Sequence, residues 1–159
     1  MPKSDTIVAV MDKINDNDDY QKYGIEANQL TTSMINEWGA SGDISPEKGQ
    51  EIINNNQVKI NALIANGKGY LKAIDQAAPK KKLDDLPKEY GDYVAAIKEN
   101  IKISLNMLTD LQAIQLNQNE TVDKVNKEYN QALMTAQKTI SSAAIALNKV
   151  RGTEKQTDR

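Results

Sequence analysis

Apolar residues recur along this chain at helical spacing, and the clearest run lies in its C-terminal third. From Asp92 to Arg151 there is neither Gly nor Pro. One heptad phase fits throughout, with Val94, Ile101, Leu108, Gln115, Val122, Tyr129, Ala136, Ala143 and Val150 at position a. Position d carries Ile97, Ser104, Leu111, Gln118, Val125, Ala132, Thr139 and Ala146. A sustained 3-4 repeat of this kind predicts helix. The seam is polar at Gln115 and Gln118, beside "LNQNET" at 116–121, where Asn117 or Asn119 suits a left-handed helix end or a new cap. The run is therefore two helices hinged near 117 or one rod of about 90 Å at 1.5 Å per residue.

Upstream, "SPEK" at 45–48 reads as a helix start, with Ser45 as N-cap and Pro46 at N1. The capping box is incomplete, because N3 is Lys48. Ile53, Ile60, Ile64, Leu71, Ile74 and Ala78 then follow one stripe, widened by Leu63 and Tyr70 and closed by Pro79. Gly67 falls in that seam, which points to a close helix approach or a kink. Asn54, Asn55 and Asn56 interrupt it, and the expectation is that Asn56 or Gln57 turns inward to fix register. The alternative is a polar pocket between helices. The first segment is less regular. Ile7, Met11 and Ile14 begin a stripe that "NDNDD" breaks, and Tyr23, Ala27, Leu30, Met34 and Trp38 resume it in another phase. Gly39 is expected to end that helix as its C′ residue, with Ser41 to Asp43 making the crossing.

Equal segment lengths favour an all-α, antiparallel up-down bundle of four helices, about 5–38, 45–78, 88–116 and 120–150. An unbroken last helix would leave half its stripe uncovered in a monomer. The alternative is thus a helical hairpin plus one long C-terminal helix forming a coiled coil. Residues 1–151 form the single domain in this reading, and 152–159 a polar disordered tail.

Composition narrows the chemistry. With 159 residues the chain can bury a core unaided, and it has no Cys, His or Phe. Disulfides, zinc ribbons, thiol catalysis and the commonest metal ligand are excluded. Net charge is −2 and no basic face is visible, so nucleic acid is not an expected partner. Lys80–Lys82 is followed by Asp84 and Asp85 and reads as a solvated loop. No stretch reaches the roughly 20 apolar residues of a membrane span, so direct insertion is not expected. "MPKSD" lacks an apolar h-region. An extracytoplasmic domain whose targeting segment has been removed is favoured over a cytoplasmic one.

Motif candidates are sparse. "SPEK" also matches S-x-x-K but lacks the S-D-N and K-T-G partners. "GASGD" at 39–43 is short of a nucleophile elbow, and "NGKGY" at 66–70 is no P-loop. In "NDNDDYQKYGIE", Asn15, Asn17, Asp19 and Glu26 occupy positions 1, 3, 5 and 12 of a calcium loop. Tyr20 replaces its turn Gly and Lys22 its usual apolar residue, so these four are weak metal candidates beside an acidic helix break. No catalytic residue and no cofactor is assigned. Trp38, the only Trp, reads as a core cap at the bundle tip, with partner contact as the other reading. The resulting expectation is a non-catalytic helical domain that binds a protein partner or ligand, part of a bacterial secreted or anchored protein. A self-associating coiled-coil subunit of a surface or secretion assembly is the second reading, and a calcium- or small-molecule-responsive regulator the third.

Overall fold

The computed structural model describes residues 18–43, 45–113 and 125–157, and every regular element among them is helical. The order is α1 (Asp18–Ala40), α2 (Pro46–Asn55), α3 (Gln57–Ala77), α4 (Lys80–Asp84), α5 (Lys88–Ala113) and α6 (Asn130–Thr157). A π-helical turn, Val125–Tyr129, leads directly into α6. The calls for residues 5–17 and for the hinge at 116–121 fall outside the described residues.

Local chemistry sets most boundaries. Ser45 is the N-cap, its Oγ accepting from Lys48 N–H at 3.2 Å, and Pro46 opens α2. Lys48, which breaks the capping box, instead pairs with Glu51 at 3.2 Å. The end of α1 departs from expectation. Gly39 stays helical, and α1 runs on to Ala40 before Gly42 takes a left-handed φ of +68°. Ser41 closes the turn, its Oγ donating to the Trp38 carbonyl at 2.6 Å and accepting from Asp43 N–H at 3.1 Å.

The expected helix over 45–78 is divided at Asn56. There the Asn56 side chain donates to the Ile52 carbonyl at 2.8 Å, turning back on its own helix rather than across the core. Gln57 likewise bonds locally, to Asn61 at 2.9 Å. The Ile52 carbonyl also accepts the Asn56 backbone N–H at 3.2 Å, and Ile60 N–H donates to the Asn56 carbonyl at 2.9 Å, so backbone bonding runs on through the division and these amide bonds stay local rather than crossing the core. Lys80–Lys82 lies in the short helix α4, not in a loop, though all three side chains are exposed. Its Leu83 and the following Leu86 pack onto the core.

The pairs α1–α3 and α3–α5 run in opposite directions, which leaves α1 and α5 parallel where Gly24 meets Asn100 and Ser104. Tyr20 stacks edge-on against Tyr70 with centroids 4.8 Å apart, and Tyr23 donates to the Leu63 carbonyl at 2.8 Å, joining α1 to α3. Asp75 pairs with Lys98, and Gln112 donates to Asn61 at 2.8 Å, joining α3 to α5. Tyr129 donates to Asp110, so the chain doubles back between α5 and α6. In one unbroken helix those two residues would lie roughly 28 Å apart at 1.5 Å per residue. The long-rod alternative is therefore replaced by two packed helices.

Their shared core holds Tyr23, Ile52, Ile53, Ile60, Ile74, Tyr90, Ile101, Met107, Leu108 and Leu111, all fully buried. Each such side chain contributes on the order of 1.5–3 kcal/mol by leaving water. Gly67 explains how closely α1 and α3 approach. A methyl on it would lie 2.6 Å from Tyr23 Cζ and 2.9 Å from Leu105 Cδ2, so the seam position is a close contact and not a kink. At the other end, α6 continues through Gly152 and Thr153 to Thr157, over residues expected to form the tail.

Candidate functional site

The heptad phase holds in α5 and drifts in α6. Val94, Ile97, Ile101, Ser104, Leu108 and Leu111 are all buried. In α6 the covered stripe is Tyr129, Leu133, Ala136, Ile140, Ala143, Leu147 and Val150, at positions a and e, while Thr139 and Ala146 at d are exposed. A straight helix drifts about 20° per heptad from a 3.5-residue repeat, and a π turn adds its own offset. The result is a second, outward stripe on the same helix. Glu128, Ala132, Thr135, Thr139, Ser142, Ala146 and Lys149 follow one another at intervals of four and three.

Beside that stripe lies a groove of about 450 Å³, floored by Ala96 and Ile103 of α5 and by Ala132, Thr135, Ala136 and Thr139 of α6. Small side chains on α6 create the space. Glu99 of α5, Glu128 of the π turn and Gln131 of α6 also line it. The exposed part of α6 is unusually free of charge. No Asp, Glu, Lys or Arg occurs from Thr139 to Asn148, while the exposed Ile145 (59%) and Met134 (63%) lie on the Ser141 side of α6, away from the groove.

A second hollow, of about 460 Å³, lies where α3, α4 and α5 meet, among Asp75, Lys80, Leu83 and Lys98. The Asp75–Lys98 ion pair crosses it and ties α3 to α5.

The residues singled out in the sequence do not gather there. Trp38 is only 5% exposed and packs in the core, its Nε1–H without a hydrogen-bond partner. Its burial puts the ring among the core residues. Asp19 and Glu26 both lie on α1, seven residues or about two helical turns apart. Glu26 is exposed, and Asn15 and Asn17 lie outside the described residues. No cluster of three or more His, Cys, Asp or Glu able to hold a metal occurs among the described residues. Ser45 and Lys48 form a cap and an ion pair rather than a nucleophile and its base. The "NGKGY" segment is interior to α3.

Electrostatic shifts fall on structural groups. Burial first, and then the field of Tyr70, push the Tyr23 phenol upward. Tyr129 is raised by burial, then by its bond to Asp110. Asp43 is held below the usual carboxylate range by hydrogen bonds with Ser45.

Two polar features escaped the sequence reading. Asn100 and Ser104 are buried on α5 against Gly24 of α1, with Ser104 Oγ bonded to the Asn100 carbonyl at 3.1 Å. The Asn61–Gln112 bond joins α3 to α5. Ser104 stood visibly at a d position, but nothing in the chain pairs it with Gly24. The uncharged run 139–148 meets the groove only at Thr139, and the groove's own lining includes Glu99 and Glu128. No helix among the described residues is long and apolar enough to cross a membrane. Against protein families, curated proteins and solved structures alike, the chain finds no match.

Proposed function

We propose that this chain is a non-catalytic interaction domain, an antiparallel up-down helical bundle that works through the face shared by α5 and α6. The observation that carries the reading is the groove between α5 and α6 at Ala96 and Ile103, beside a stretch of α6, 139–148, that carries no charge. A face built only for solvent would carry the mixed charge found elsewhere in a chain that is 26% Asp, Glu, Lys and Arg. An extracytoplasmic setting, as part of a bacterial secreted or anchored protein, accords with the absence of Cys and the Asn- and Gln-rich helix faces.

A photo-crosslinking residue placed at Thr135 tests the contact in native cells, with Ser141 on the same helix as control. Protein adducts from position 135 and not from 141 are expected. Equal labelling at both positions, or none at either, overturns the assignment.

A further inference from the structure

We infer that the occupant of the α5–α6 groove is a second copy of this chain, whose α6 lies antiparallel to the first about a two-fold axis near Thr139. This rests on the reading of that face as the contact surface and supplies its partner. Charge order along the outward stripe selects the occupant. Its first residue is Glu128 and its last Lys149, with only Ala, Thr and Ser between at the stripe positions. Glu128 and Lys149 are both exposed, and neither forms an ion pair among the described residues. Reversed on itself, the stripe brings Glu128 opposite Lys149 of the second copy, twice per dimer. Thr135 falls opposite Ser142, Ala132 opposite Ala146, and Thr139 near its own mate.

A parallel arrangement would place Glu128 beside Glu128 and Lys149 beside Lys149, which like-charge repulsion disfavours. The small residues allow close helix approach, and the groove beside Ala96 and Ile103 receives the flank of the incoming helix. From Glu128 to Lys149 the stripe is roughly 32 Å long at 1.5 Å per residue. Closed two-fold symmetry is the commonest form of self-association, and an isologous contact needs only one self-complementary stripe.

Sedimentation velocity over a concentration series tests this with the full chain. A shift from the monomer of 17.6 kDa to a species of twice that mass is expected. Thr139→Arg should abolish the shift while Ser141→Arg leaves it intact. Glu128→Lys and Lys149→Glu should each weaken the dimer about tenfold at low salt, and the double exchange should restore it. Because the chain has no cysteine, Thr139→Cys offers a single thiol that should oxidise to a covalent dimer. A monomer at every concentration, a dimer that survives Thr139→Arg, or failure of the double exchange to restore pairing overturns the inference. The crosslink at Thr135 keeps the two readings apart. Adducts to another protein but not to a second copy would sink self-pairing alone, whereas no adduct at all would sink both.

Discussion

Two buried helical glycines answer an added methyl in opposite ways. At Gly67 it would meet the Tyr23 phenol and Leu105, and the phenol is pinned by its bond to the Leu63 carbonyl. Gly67→Ala should therefore destabilise by about 2 kcal/mol, overpacking outweighing the gain of about 1 kcal/mol in helix propensity. Gly24 has room, since its methyl would stand 3.4 Å from Ser104 Oγ and 3.6 Å from Asn100 Nδ2. Gly24→Ala should stabilise by about 0.5–1 kcal/mol. Urea unfolding of both variants checks the signs. Tyr23→Phe removes the hydroxyl at a cost of about 1 kcal/mol. In that background Gly67→Ala should cost less than alone, and a double-mutant cycle would read the coupling.

At the scale of elements, the phase of α6 is the informative feature. Leu147 is buried and Ile145, two residues earlier, is exposed. Leu147→Ala should cost about 2–4 kcal/mol and Ile145→Ala no more than about 0.5 kcal/mol in the melting of the monomer. Equal costs would mean that the a/e stripe is not the packed one. The α2 start rests on one side chain. Ser45→Ala should lose about 1 kcal/mol through the orphaned Lys48 N–H, and Ser45→Asp should retain most of it, as denaturant midpoints would show.

For the whole molecule, the raised tyrosines set an alkaline limit. Tyr23 keeps its proton in the fold well above the ordinary value of 10.0, because burial and then Tyr70 disfavour the phenolate. Folded chains thus hold more protons than unfolded ones above about pH 10, so stability is fully present below that pH and falls as pH rises. Tyr129 acts in the same direction through burial and Asp110. Urea midpoints compared at about pH 8 and about pH 11 should drop, and Tyr23→Phe should flatten the drop. An unchanged slope in that variant would place the alkaline sensitivity elsewhere.

The chain by itself determined that its regular elements are helices, where Ser45–Pro46 restarts one, that α3 stops before Pro79, and which face of α5 is buried. These are local matters, settled by side-chain spacing, a cap geometry and the missing N–H of proline. Trp38 was legible as a core residue because it continued a stripe through Tyr23, Ala27 and Met34, all buried. The end of α1 was not, since Gly39 and Gly42 are equally able to turn a chain and the Ser41 bonds choose between them. Nor was the division at Asn56, where the side chain adds a bond to the Ile52 carbonyl while the backbone bonds of the helix continue. Only the tertiary structure decided that Gly67 lies beneath Tyr23, that Asn100 and Ser104 meet Gly24, and that α6 turns its d positions outward. A helix's periodicity names the faces it has, but which face is covered depends on what packs against it. On α6 the covered face meets the core, and the face of small residues beside it stays largely exposed.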